Sequence, residues 1–328
     1  MKTRLLPIVA LIGIGVAHSQ AQVLSNPSFE SPSLSTNGWT YEPLNASWRF
    51  DPMAGIANGD SPWGRGAVQG TQYGFLQRNS ELDQTITSLS LGHNYAFTFW
   101  MMRRNGGFGA DNGVPLKALL DGSIVFPQIF YDLPTWKIAG SHAFTASSSS
   151  ALLKFVTLPD IEDRAELIDD IKIFEVQRAP VASMVLTSGI LANGTSGDIL
   201  ASDDVYWSLK PEPGSDQVTT PIRVAGVFGI STASPRYLSV QIESAASTGV
   251  LRQVVKLYNF QTNIFDTVGN TVLLSSDNRT HVVVVSNPTS YVDPLAMSVR
   301  CQIQVDKTSF PRSNSWRYRI DEIAFFWN

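Results

Sequence analysis

The chain carries one cysteine, Cys301, in 328 residues, and so has no intramolecular disulfide framework. Charge is scarce too: 16% of residues are charged and the formal net charge is -4. Such mild acidity argues against nucleic acid as a partner, because phosphates select for a basic surface. The four histidines stand apart from one another and from Cys301, so no zinc-ligand spacing occurs. Few windows keep the i, i+3, i+4, i+7 apolar spacing of an amphipathic helix. Beyond the N-terminus no apolar run could cross a membrane.

What is present begins with an export pattern. Lys2 and Arg4 precede an apolar run over residues 5–17, and small residues Ser19 and Ala21 stand where a signal peptidase cuts. Residues 1–21 are therefore expected to be a cleaved signal peptide. The product is a secreted chain, extracellular or periplasmic, with no membrane insertion after cleavage. The remaining length suits two domains better than one.

Short alternating or apolar runs recur between turn clusters, at residues 95–100, 151–155, 238–242 and 281–285. Strands at this spacing without helical crossovers predict an all-β chain of two antiparallel β-sandwich (jelly-roll) domains in tandem, with small barrels as the competing architecture. The boundary is read at Gln177-Arg178-Ala179-Pro180, where a strand-like run gives way to proline. This makes 22–177 the first domain and 178–328 the second. Both end on a strand that opens with paired acids, Asp169-Asp170 and Asp321-Glu322, which suggests two versions of one architecture. Cys301, between Val299 and Ile303 in an alternating run, reads as a small core residue.

Sugar sites pair an aromatic ring, which lies on the apolar face of a pyranose, with polar groups that satisfy its hydroxyls. Trp63 and Arg65 sit in a stretch, 58–66, too rich in turn residues for a strand, which makes Trp63 the leading candidate for an exposed ring. Tyr73 and Trp136 complete the expected ligand set. Trp48, Phe50 and Tyr131 are further loop-like rings, whereas Trp39 and Trp100 lie beside strand patterns and read as core. The loop arginines Arg103 and Arg104 either reach a binding face or solvate its rim.

Residues 23–176 resemble the galactose-binding-like jelly rolls, a group that includes carbohydrate-binding modules. The resemblance rests on Asn26-Pro27-Ser28-Phe29-Glu30, on Gly38-Trp39, on Gly74-Phe75-Leu76-Gln77, on the run 91–100 and on Ile168-Asp169-Asp170-Ile171, in that order. It implies a polysaccharide or cell-surface glycan as ligand. It also implies a structural calcium ion tying the first strand to the last, held by Glu30 and Asp169, with Asp170 as substitute and backbone carbonyls completing the shell. Period-two alternation places Asp169 on the face of Ile171 and Ile173, where a cation would offset the cost of a buried charge. The alternative role for Asp169 is to accept backbone N–H bonds at the strand start. The second half, through residues 200–207 and 257–262, resembles an uncharacterised β-rich domain of secreted bacterial proteins, which brings no activity with it.

Catalysis finds little support. Gly59-Asp60-Ser61 resembles the nucleophile block of a lipase and esterase family, but the late histidine, His281, has the wrong spacing for its partner. Asp160, Glu162, Asp163 and Glu166 crowd one loop, whereas glycosidase carboxylates flank a cleft. The reading is a non-catalytic, carbohydrate-binding secreted protein acting through its first domain. A structural or adhesive spacer is the alternative.

Overall fold

In the computed structural model, the strand Ser150–Thr157 turns Ala151, Leu153 and Phe155 inward and leaves Leu152 and Lys154 outside, the two-residue period of a sheet with one buried face. The described residues are 24–61, 63, 66–104, 114–129, 134–158, 164–212, 222–247, 250–273, 275, 278–307 and 316–328. The export pattern, Arg65, Tyr131, Asp160, Glu162 and Asp163 lie outside them.

Four antiparallel sheets make up the described chain, and its single helical element is a 3-10 turn at Pro288–Tyr291. The first sandwich opposes a seven-stranded sheet and a five-stranded one. In the larger sheet the order runs Trp39–Tyr41, Ala54–Asn58, Gln72–Gln77, Ala165–Glu175, Asn94–Arg103, Phe144–Thr145, with Lys137–Gly140 also paired to Asn94–Arg103. The smaller runs Arg49–Phe50, Glu81–Thr87, Ser150–Thr157, Leu116–Leu120, Ser123–Ile129. Between them Phe155 is fully buried, its ring centroid 5.0 Å from Phe99, 5.9 Å from Phe97 and 6.4 Å from Trp48.

The second sandwich has an inner sheet in the order Ile190–Asn193, Trp207–Lys210, Tyr318–Trp327, Leu238–Ala246, Asn278–Val284. Its outer sheet runs Val181–Ser188, Ile222–Gly229, Ser298–Lys307, Leu251–Asn259, Ile264–Leu273. Cys301 lies in the core between them, as its alternating neighbours predict, and burial pushes its thiol up to about 12.

Asn94–Arg103 is buried along both faces, so its sequence is a continuous apolar run rather than an alternating one. The reason is that the outer face of the seven-stranded sheet is covered twice. At one end Trp63 and Trp136 lie over Tyr73, Phe75 and Leu167. At the other the second sandwich docks: Ala96, Ala143, Phe174 and Val176 meet Tyr237, Val283 and Phe326. Gly140 permits the approach, since a Cβ there would come within 2.9 Å of Val283 and 3.0 Å of Val285. The Tyr237 hydroxyl donates to Ser141 O (2.7 Å), Gln241 Nε2 to Ala143 O (2.9 Å) and Asn328 Nδ2 to Glu175 O (2.6 Å). Gln177–Arg178 itself pairs with Phe326 and Trp327, making the crossing between sandwiches a strand of the inner sheet.

The paired acids of the two closing strands have a shared structural cause. Between Asp169 and Lys172 the strand holds one residue more than its partner, and Asp170 takes a left-handed φ of 49°. In the second sandwich Glu322 pairs with Glu243 and Ile320 with Ser244, leaving Asp321 as the extra residue. The bulge corrects the alternation drawn from sequence: Ile168 and Ile171 both enter the core, and Asp169 shares a face with Leu167 instead of Ile171.

Candidate functional site

The expected ligand residues Trp63, Tyr73 and Trp136 are brought together, but as packing. Trp63 is 3% exposed, stacks on Phe75 at 4.1 Å and carries the Arg104 guanidinium on its ring at 4.2 Å. Tyr73 is fully buried with Trp136 at 5.8 Å, and Trp136 Nε1 donates to Gly66 O (2.7 Å). The expectation of an exposed Trp63 is thus corrected. Its turn-rich segment does leave the sheet, then folds back over an apolar outer face that needs cover. Trp48 is buried as well, donating from Nε1 to Asn26 O (3.0 Å). Trp39, read as core, is instead 47% exposed on an edge strand.

Glu30 and Asp169 converge on one segment from opposite ends of the first domain. Asp169 Oδ2 accepts the amides of Val68 (2.7 Å) and Gln69 (3.0 Å), and Oδ1 accepts that of Asp170 (2.7 Å). Glu30 Oε1 accepts the amides of Thr71 (2.9 Å) and Gln72 (2.8 Å), while Oε2 takes the Thr71 hydroxyl (3.0 Å). Asp170 turns to Lys172 Nζ at 2.6 Å. Burial pushes the Asp169 carboxyl up to about 7 against these amide bonds. Carboxylate oxygens are the ligand type that calcium takes, and in this structure the amide bonds to Glu30 and Asp169 pin residues 68–72 to the first and last strands. Asp321 has the parallel relation in the second domain, with the Asp203 amide 3.4 Å from Oδ1.

Among the described residues, Ser61 and His281 of the serine-type arrangement each have other partners. Ser61 is buried and its hydroxyl accepts the Trp63 amide, whereas His281 stacks on His142 at 3.8 Å, ring planes 19° apart. Glu166 is fully buried, and burial holds its carboxyl well above the ordinary range.

A different surface has the make-up of a sugar site. On the outer sheet of the second sandwich Val255, Leu257, Cys301 and Ile303 face the core, so Lys256, Tyr258, Gln302 and Gln304 face outward. Tyr258 is cross-strand from Phe265, ring centroids 5.2 Å apart, and lies 4.9 Å from Phe260. Phe265 is 40% exposed. The Arg300 guanidinium caps the rings, 5.4 Å from Tyr258 and 5.1 Å from Phe260. Beside them Lys256 pairs with Gln302 across the sheet and donates from Nζ to Gln304 Oε1 (3.3 Å). The sequence carried a signal: Arg300, Gln302, Gln304 and Asp306 alternate with Val299, Cys301, Ile303 and Val305, which prescribes a polar outer face.

The junction between the sandwiches holds two clefts, one on each side of the His142–His281 stack. One, about 290 Å³, is lined by Phe126, Val268 and Val283; the other, about 460 Å³, by Asn94, Gln241, Arg178, Arg279 and Glu322. Both arginines are engaged, Arg178 with Glu322 at 2.8 Å and Arg279 with Glu243 at 3.0 Å.

No protein-family model matches the chain, and no curated protein matches it. Among solved structures it is similar to the N-terminal tandem of two family 22 carbohydrate-binding modules from Paenibacillus barcinonensis Xyn10C, at 10% identity over 90% of this chain and 99% of that one, TM-score 0.32. It is similar to TmCBM61 in complex with β-1,4-galactotriose, at 15% identity over 48% of this chain and 99% of that one, TM-score 0.34. It is also similar to the plant receptor-like kinase FER, at 6% identity over 89% of this chain and 94% of that one, TM-score 0.29. These are likenesses at TM-scores too low to carry a ligand or an activity across.

Proposed function

We propose that the protein is a secreted, non-catalytic carbohydrate-binding protein whose recognition surface is the outer sheet of the second sandwich. The observation that carries this reading is the juxtaposition of Tyr258 and Phe265 with the amides of Gln302 and Gln304 on one open face. Rings of this kind cover the C–H face of a pyranose, and amides bond its hydroxyls. The reading moves binding from the first domain, whose rings Trp63 and Tyr73 are buried, to the second. Export is supported by Lys2, Arg4 and the apolar run that follows them. No helix among the described residues is long and apolar enough to cross a membrane.

Affinity electrophoresis against a panel of polysaccharides tests this. The mature protein is retarded by at least one of them, and the Tyr258→Ala, Phe265→Ala double variant binds that polysaccharide at least about tenfold more weakly, a loss of about 1.4 kcal/mol. Trp63→Ala lowers thermal stability and leaves affinity unchanged. Silence across the panel would favour a spacer, and equal binding by the double variant would move the site elsewhere.

Calcium is not required by this reading. With amide donors on Glu30 and Asp169, EDTA is expected to leave the melting temperature of the first sandwich unchanged. A calcium-dependent rise that disappears in Glu30→Ala would restore the ion to Glu30 and Asp169.

A further inference from the structure

The same outer face carries more positive charge than a neutral sugar needs. Arg223, Arg252, Lys256 and Arg300 occupy outward positions on three adjacent strands, Ile222–Gly229, Ser298–Lys307 and Leu251–Asn259. Two carboxylates answer them: Asp306 pairs with Arg252 at 2.8 Å, and Asp293 with Arg300 at 3.4 Å. Lys256 reaches a neutral amide, and the Arg223 side chain has no partner among the described residues. The strand register places Gln304 opposite Arg223 on one side and Val254 on the other, with Gln302 opposite Lys256. Among the described residues, Arg223 and Lys256 are thus two cations with no carboxylate partner beside the amide row, on a protein whose formal net charge is -4. A cationic strip on an acidic protein concentrates anions at that strip and repels them elsewhere.

Resting on the carbohydrate reading above, we infer that the ligand is an acidic polysaccharide, with Arg223 and Lys256 meeting its anionic groups while Tyr258 and Phe265 take ring faces. Arginine forks match carboxylate and sulfate oxygens, and lysine serves as a point charge. A uronate and a sulfate ester present the same chemistry to this strip.

Dextran, dextran sulfate and polygalacturonate are the probes, with inorganic polyphosphate as a polyanion lacking sugar rings. The full-length mature protein is expected to bind dextran sulfate or polygalacturonate at least tenfold more tightly than dextran, and to lose that preference as sodium chloride is raised. The polyanion that binds better identifies the anionic group. Arg223→Gln with Lys256→Gln reduces affinity for the acidic polymer tenfold or more and leaves thermal stability unchanged, while Arg223→Gln alone, outside the ring-and-amide set, weakens the acidic polymer and leaves dextran binding unchanged. Tyr258→Ala with Phe265→Ala weakens binding to sugars of either kind and leaves polyphosphate binding unaltered. Equal affinity for dextran and the acidic polymers, unaffected by the Arg223 and Lys256 changes, overturns the inference and leaves carbohydrate binding standing. Polyphosphate bound as tightly as dextran sulfate also overturns it, making the strip a general polyanion surface. Silence toward every polysaccharide removes the carbohydrate reading itself.

Discussion

Lowering the pH from neutrality to about 4 is expected to open the junction between the two sandwiches while each stays folded. The stacked rings of His142 and His281 sit at that junction. Burial pushes His142 down to about 3, with His281 and Arg279 adding charge repulsion; burial and Arg279 push His281 down to about 4. In the docked state both rings are neutral, whereas exposed rings titrate near about 6.5. The docked form therefore binds fewer protons between those limits. Docking is at full strength above about 6.5 and weakens as pH falls toward the docked values. At about 1.36 kcal/mol per unit, the rings together forfeit on the order of several kcal/mol. The other charged groups lining the cleft, Arg178 and Glu322, pair with each other and offer the rings little compensation.

Asp169 responds in the opposite sense. Its carboxyl is raised in the folded state, so it weakens the first sandwich as pH rises from about 4 through about 7. That sandwich is not destabilised by Asp169 in the range where the junction opens. Small-angle scattering across pH 7.5 to 4 is expected to show an increase in radius of gyration without loss of β-sheet circular dichroism. His142→Phe with His281→Phe keeps two stacked rings and removes the titration, so this variant stays closed. If it opens at the same pH as the wild type, the histidines do not govern docking.

Phe155→Ala is expected to be the most damaging single change in the first core. The ring is fully buried within 6.4 Å of Trp48, Phe97 and Phe99, and these large, rigid neighbours cannot collapse into the space it leaves. Removing such a ring costs about 3–5 kcal/mol. In a domain of this size that is roughly 10–15 °C in melting temperature. Calorimetry should show the transition of the first sandwich lowered by that amount. A shift under about 3 °C would mean the core repacks.

Strand class and much of the core were legible because alternation is local: Leu153 and Phe155 point in wherever the sheet ends up. Where the sequence misled, the missing information was longer in range. The turn chemistry around Trp63 marks a departure from the strand but not what the loop falls onto. That was recoverable only from the double-sided apolarity of Gln72–Gln77 and Asn94–Arg103, which announces a second covering layer. Asp169 was assigned to the wrong face because one inserted residue inverts a two-residue period. The ring face of the second sandwich requires Tyr258 and Phe265 to meet across a hairpin, and the histidine pair joins residues 139 positions apart, 142 and 281.

The strand crossing between the sandwiches also has a mechanical meaning. Only Val176 separates Ala165–Glu175, an interior strand of one sheet, from Gln177–Arg178, which is hydrogen-bonded into the next. There is no slack tether to extend. Tension along the chain at this point passes through one residue from the middle of one sheet to a short strand bonded to Phe326 and Trp327 of another. Any swing at the junction pivots within a residue or two of Val176, so the two bodies tilt like boards on a hinge and do not drift apart on a leash.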